Sequence, residues 1–270
     1  MRGTWDASLG AFRDFLRAWR ERPRADYASD QGRDLFVAGY CLVTVGIIAL
    51  LFDSRAAYGA RGLNPLWYWG FEYVTGFGKS AYLFVLTGFT AIASATLSQA
   101  VRNGTLASVW ALVAGRAFYL FVTLAVSGLA SQLLKRVGRA RPKFVDQGGA
   151  FQFDPLMLKS SWSSFPSGHT ITAFAIATAL GYLVPRWRWP LLVAAALIGA
   201  SRIVLGAHYP SDVAAGACIG AASAILLRRL FASRRIVFAV RDRKIVPRAQ
   251  GAIWPALRGV MRERAKDSIR

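Results

Sequence analysis

The chain has 270 residues, 54% of them hydrophobic, a mean hydropathy of +0.34 and a formal net charge of +20. That is too apolar for an average soluble domain, and several apolar runs approach the ~20 residues a helix needs to cross a bilayer. In a membrane protein such an excess of Lys and Arg sets orientation and meets anionic headgroups, and the aromatic-spaced basic modules of nucleic-acid binders are absent, so no nucleic-acid partner is expected.

Residues 1–34 carry seven Lys or Arg. Trp5, Leu9, Phe12, Leu16 and Trp19 recur at helical spacing with Arg13, Arg17 and Arg20 between them. This is the pattern of an amphipathic helix, either lying in the membrane interface or packed on the cytoplasmic end of a bundle. The first thirty residues hold no apolar core of signal-peptide kind, so the first span is expected to act as the insertion signal. Apolar sequence then predicts six spans, at roughly 36–52, 80–97, 117–134, 169–184, 191–204 and 212–227. In the third, apolar sequence begins at Leu106, but Arg116 interrupts it and 117–134 is taken as its core.

Between the first two spans, residues 53–79 read as a loop rich in Gly, Trp and Tyr. Its Trp67, Tyr68, Trp69, Phe71 and Tyr73 form either an aromatic belt at headgroup depth or part of a lipid entry lip. The longest loop, 135–168, carries Lys135, Arg136, Arg139, Arg141 and Lys143, then Phe144, Phe151, Phe153 and Trp162. Cys41 and Cys218 fall inside predicted spans and read as small core residues; no zinc-type spacing of Cys and His occurs, and no metal site is expected. The tail, 228–270, has thirteen Lys or Arg, and holds a short strand or hairpin (236–240 with 244–246) or is partly disordered. The expected architecture is all-α: a six-transmembrane-helix bundle over 35–230, with an amphipathic segment at 1–34 and a basic tail at 231–270.

Six spans put both termini on one side. That side collects 24 of the 34 Lys and Arg and the other side 10, which places both termini in the cytoplasm. The loop 135–168 and the turn 206–211 then share the outer face. The basic residues of that loop run against the trend and call for a local anionic partner, of which a bound phosphate is the simplest.

The chain has two histidines, His169 and His208. His169 ends Pro166-Ser167-Gly168-His169 at the start of the fourth span. A Ser-Gly pair at a helix start offers backbone N–H groups to an anion, and the helix dipole favours negative charge there. His208 lies in the stretch from Ser201 to Asp212, and His208 and Asp212 are four apart. Asp212 is close enough to hold one ring nitrogen, leaving the other as nucleophile or base. Arg202, Arg141 and Lys135 lie at the same outer ends of spans. Two imidazoles, a carboxylate, these cations and a helix N-terminus suit phosphoryl transfer: one histidine attacks in line, the other protonates the leaving oxygen, and the cations neutralise equatorial charge without a metal.

These residues resemble the motifs of the type 2 phosphatidic acid phosphatase superfamily, integral-membrane lipid phosphatases sharing an active site with vanadium haloperoxidases and bacterial acid phosphatases. Pro166-Ser167-Gly168-His169 matches the second motif. Ser201-Arg202, His208 and Asp212 match the third without departure. The first, Lys, six residues, Arg-Pro, is one residue short: Lys135 stands too close to Arg141-Pro142, and Lys135, Arg136 or Arg139 is left to supply its cation. The resemblance implies His208 as nucleophile, Asp212 as its partner and His169 as general acid. It implies phosphate binding by Lys135, Arg141, Ser167, Gly168 and Arg202, and no cofactor. It further implies a lipid phosphate or pyrophosphate substrate at the outer face of a bacterial inner membrane: phosphatidic acid, phosphatidylglycerol phosphate, undecaprenyl pyrophosphate or the phosphate on lipid A. The alternatives are a vanadate-dependent peroxidase on the same fold, which the six spans disfavour, and a non-enzymatic lipid carrier, which would place ionisable groups at span centres.

Overall fold

The structure, a computed structural model, describes residues 31–60, 65–157, 159–241 and 244–248. The amphipathic helix expected from Trp5 to Trp19 lies outside the described residues, as does the tail beyond 248. The chain is mostly helical: α1 (Gln31–Gly59), α2 (Pro65–Gly76), α3 (Ser80–Ala100), α4 (Gly104–Leu134), α5 (Gly168–Leu183), α6 (Arg188–Val204) and α7 (Pro210–Ser233). A hairpin follows, β1 (Phe238–Arg241) antiparallel to β2 (Lys244–Pro247), with Phe238 opposite Pro247 and Arg241 opposite Lys244.

Among the described residues, five segments are long and apolar enough to cross a membrane: Gly32–Gly59, Trp67–Ala100, Gly104–Val137, Pro185–Val204 and Pro210–Ser233. α5 is apolar too, but its 16 residues rise only about 24 Å against a hydrocarbon core of roughly 30 Å. The apolar side chains of α1 point outward, Leu42 and Leu50 being about three-quarters exposed, as a helix with a lipid-facing side requires.

Two stretches differ from the sequence reading. Residues 53–79 are largely helical. α1 continues past Asp53, and α2 begins at Pro65, whose fixed φ suits a first helical position. Aromatic rings one turn apart then meet along α2 and its exit, Trp67 tilted against Phe71 at 6.4 Å and Tyr73 edge-on to Phe77 at 5.5 Å. α4 starts at Gly104 and runs 31 residues through Arg116. The arginine does not end the helix, because its guanidinium donates to the Arg248 carbonyl (3.2 Å).

By contact the chain divides into two compact units, the boundaries falling within α3, α4 and α7. One contains, among the described residues, 83–122 and 227–248. Its centre is aromatic: the buried Tyr119 ring meets Phe231 and Phe238 edge-on at 5.3 and 5.1 Å, which fastens the hairpin to α4 and α7.

The other unit holds 31–82 and 123–226. Here α5 packs along α6, with Ala173, Ala177 and Ala195 buried between them. α7 approaches α5 backbone to backbone. A Cβ on Gly216 would stand 2.9 Å from the Ser167 carbonyl oxygen, and one on Gly220 would stand 2.4 Å from that of Ile171. Glycines four apart thus set the spacing of the two helices, as small residues do where helices meet in a membrane. Their consequence is local: Asp212, one turn further along α7, is brought to the start of α5.

Candidate active site

α4 does not stop cleanly at Leu134. Lys135–Val137 wind on as a 3₁₀ turn, which advances about 2.0 Å per residue rather than 1.5 Å. Gly138 ends it at φ 68°, ψ 45°. Only glycine fits there: the conformation is left-handed, and a Cβ would lie 1.7 Å from the Asp154 carbonyl oxygen. The chain then reverses, Arg139 forming a β-bridge with Phe153. Arg139 turns into the protein. Arg141 stays partly exposed, its Nε donating to the Ser160 carbonyl (2.8 Å) and its Nη1 to that of Ala207 (3.3 Å). Burial pulls the Arg141 guanidinium down from its ordinary value, with the charge of Asp212 opposing. Lys135, at the start of this turn, extends its Nζ to 3.6 Å from where a Cβ of Gly168 would be.

Gly168 belongs to a largely buried helix start. The first backbone bond of α5 runs from Ile171 N–H to the Ser167 carbonyl (3.0 Å), so the N–H groups of Gly168, His169 and Thr170 precede the intrahelical pattern. Ser167 is fully buried. Its Oγ accepts from Thr170 Oγ1 (2.9 Å), and its N–H donates to the Asp212 carbonyl (3.1 Å). The second and third motifs are therefore joined through the backbone.

The His208 ring is held differently from the sequence expectation. Its Nδ1 lies 2.7 Å from the Ser164 carbonyl oxygen, an acceptor, so Nδ1 carries the proton and Nε2 keeps its lone pair. Asp212 Oδ2 is 3.8 Å from Nδ1, beyond hydrogen-bond reach. That oxygen accepts instead from Ser164 Oγ (2.6 Å) and Tyr209 N–H (2.9 Å), so Asp212 grips the segment whose carbonyl grips the histidine. Burial lowers the His208 pKa from 6.5; Asp212 acts against this, and the nearby Arg141 and Arg202 add to it.

Arg202 sits in the last turn of α6, with Nη1 donating to Thr75 Oγ1 (2.9 Å). Its Nε is buried with no hydrogen-bond partner among the described residues. A buried, unsatisfied guanidinium nitrogen is costly unless an anion completes it. His169 packs against the α2–α3 turn: a Cβ on Gly78 would be 3.0 Å from the His169 Cβ. Arg202, His208, Lys135 and the exposed Lys79 all lie close enough to act on the His169 ring electrostatically. Every residue named from the motifs thus falls in one unit of the chain, around the first turn of α5.

Four participants were not singled out by the motifs. Ser164 and Thr75 hold His208 and Arg202, as above. Arg139, which the sequence left undecided, is 3% exposed and donates to Asp212 Oδ1 (2.7 Å), Ser211 Oγ (2.8 Å) and Asp53 Oδ2 (2.8 Å). Asp53, fully buried near the end of α1, also accepts from the Ser211 N–H (3.0 Å) and hydroxyl (2.5 Å). The Arg139 guanidinium covers the Tyr209 ring at 4.1 Å, and burial pushes the Tyr209 hydroxyl up to about 12. The available signal was Asp53 itself, a carboxylate at the close of an apolar run, since ionisable residues in spans are rare and functional.

Comparison with known proteins places the chain among membrane phosphatases. The family model described as PAP2 superfamily matches residues 116–236. The lipid A 1-phosphatase of Rhizobium johnstonii is 37% identical over 217 residues, covering 79% of this chain and 83% of that protein. Phosphatidylglycerophosphatase B of Bacillus subtilis is 32% identical over 105 residues, 34% of this chain and 46% of that one. Among solved structures, a transmembrane PAP2-type phosphatidylglycerolphosphate phosphatase from Bacillus subtilis has a similar fold, with a TM-score of 0.51 at 21% identity over 70% of this chain and 92% of that one.

Proposed function

The chain belongs to the PAP2 superfamily, and on that premise we propose that this multi-pass membrane protein is a phosphatase of lipid phosphates that works through a phosphohistidine on His208. His208 Nε2 attacks phosphorus in line. The N–P bond forms as the P–O bond to the lipid breaks, and His169 gives its proton to the leaving oxygen. Nδ1–H stays on the Ser164 carbonyl, and the charge that develops on the ring faces Asp212 at 3.8 Å. In the second step His169 takes a proton from water, the water oxygen attacks phosphorus, and His208 leaves as neutral imidazole. Lys135, Arg141, Arg202 and the N–H groups at the start of α5, with Ser167 and Gly168 shaping the turn, hold the equatorial oxygens. The negative charge of the bound phosphate favours the imidazolium form of His169 among its cationic neighbours. No step calls for a metal.

The observation that carries this reading is the placement of Lys135 Nζ over Gly168, beside a helix start whose N–H groups precede the intrahelical bonds and an arginine whose Nε has no acceptor among the described residues. Together they frame a site for one tetrahedral anion. The relatives support a lipid phosphate as its source, with lipid A 1-phosphate the leading candidate, since that relative shares most of its length with this chain. With the short α5 counted as a sixth span, the charge bias supports both termini in the cytoplasm of an inner membrane and the site on the outer face.

The test is phosphate release by the purified protein in detergent with EDTA present, comparing lipid A, phosphatidic acid, phosphatidylglycerol phosphate and undecaprenyl pyrophosphate side by side. Turnover of at least one, abolished by His208→Ala and inhibited by orthovanadate, is the expected result. No release from any of them, or release that EDTA removes, contradicts the proposal.

A further inference from the structure

The most heavily bonded side chain around the site belongs to none of the three motifs' phosphate ligands. Arg139 uses every donor nitrogen. Nη1 goes to Asp212 Oδ1 (2.7 Å) and Ser211 Oγ (2.8 Å), Nη2 to Asp53 Oδ2 (2.8 Å) and the Ala150 carbonyl (2.8 Å), and Nε to that carbonyl (3.2 Å). These donors are all taken by protein acceptors, and Arg139, Asp53 and Asp212 are at most 3% exposed. Burying two carboxylates and a guanidinium in a membrane protein is expensive, and a hydrophobic cluster of the same volume would serve packing as well.

We propose that Asp53 is a positioning residue that, through Arg139, sets the charge Asp212 presents to His208. The idea rests on His208 being the nucleophile. Asp212 alone with Arg139 would form a neutral pair, and a neutral pair does little for an imidazolium. Asp53 takes up the far side of the guanidinium, so the three groups together carry one negative charge, 3.8 Å from Nδ1 at the nearest carboxylate oxygen. That charge is of no use to the neutral ring that binds substrate. It is used when the N–P bond forms and the ring becomes cationic. Asp53 thereby ties the first span to the chemistry across 86 residues of sequence. Other charged or titratable groups also face His208: Arg141 from the loop after α4, His169 from α5, Arg202 from α6 and Asp212 from α7. Asp53 and Arg139 act on it from behind Asp212.

Because the chain has only two histidines, ¹⁵N-histidine labelling of the full-length protein in lipid nanodiscs reports His208 directly, with a His169→Gln sample giving the assignment. Asp53→Asn keeps the shape and removes one negative charge. His208 is expected to titrate at lower pH than in the wild type. Arg139→Gln leaves two carboxylates facing the ring, and the titration is expected to move up. The double variant Asp53→Asn with Arg139→Gln restores one net negative charge and is expected to titrate close to the wild type. It removes the Asp53–Arg139 pair whole and leaves Asp212 its hydrogen bonds from Ser164 and Tyr209, so it serves where a single variant fails to fold. On the lipid phosphate that the wild type hydrolyses, Asp53→Asn is expected to lower kcat by about ten- to a hundredfold with KM unchanged. A folded Asp53→Asn protein with the wild-type His208 titration, or a double variant displaced from it as far as Arg139→Gln is, overturns the proposal. The titration needs no turnover. Full activity in His208→Ala, by contrast, strikes at the phosphohistidine mechanism and leaves the electrostatic result standing.

Discussion

Lys135 carries the sharpest prediction, because its motif is one residue short and the structure nonetheless brings its Nζ to 3.6 Å from the Cβ position of Gly168. Lys135→Met keeps the stem and removes the ammonium. A hydrogen bond from a charged donor to phosphate contributes about 1.5–3 kcal/mol, so kcat/KM should fall about ten- to 150-fold. The Lys135 side chain is part-buried against α5, and the methionine stem fills the same space, so thermal stability in detergent should change little. Lys135→Arg is expected to recover only part of the loss, since a planar fork does not match the point-charge geometry over Gly168. The assay is steady-state phosphate release with kcat and KM separated. A Lys135→Met protein with wild-type kcat/KM would refute the reasoning and move the first-motif cation to another residue.

Two further outcomes follow from the same geometry. Gly168→Ala places a methyl group in ordinary contact with Lys135 Nζ and Ser131 Oγ, both at 3.6 Å; the fold should tolerate it, with melting temperature unchanged, while kcat/KM falls because the methyl stands where the anion meets the helix start. An unchanged kcat/KM would mean that the anion does not sit there. The second concerns pH. The attacking form of His208 is neutral, and burial holds its pKa below 6.5, so the acid limb of the kcat/KM profile should have its midpoint below 6.5 and not above it. The sign for stability is the same: the unfolded chain protonates His208 first, so its contribution to the fold is full above about 6.5 and is lost as pH falls through the lower folded value. An acid limb well above 6.5 would contradict the burial of a neutral ring.

The motifs were legible because phosphoryl chemistry restricts residue choice locally. Two histidines at span starts, Arg202 in the last turn of α6 and Ser-Gly at the start of α5 keep their meaning in one dimension. The grip on His208 was not legible. Spacing of four suggested Asp212, but the ring takes the Ser164 carbonyl, and a backbone acceptor leaves no trace in sequence. Asp53 and Arg139 were hidden by distance, since only the fold brings residues 86 apart together. α2 read as a loop because its aromatic and glycine content matches interfacial loops, while the ring contact that favours a helix appears only in three dimensions. Arg116 was given too much weight as a helix end, because its capping carbonyl comes from Arg248, 132 residues on.

Most direct of all is to look for the covalent species. Rapid mixing of the protein with its lipid phosphate, alkaline quenching to preserve an N–P bond, and peptide mass spectrometry should find a phosphoryl group on His208. In His169→Gln, where both steps lack their proton-transfer group, it should form and decay more slowly than in the wild type. Turnover at the wild-type rate with His208 unmodified throughout, or a phosphoryl group on His169 instead, would contradict the assignment of the attacking nitrogen.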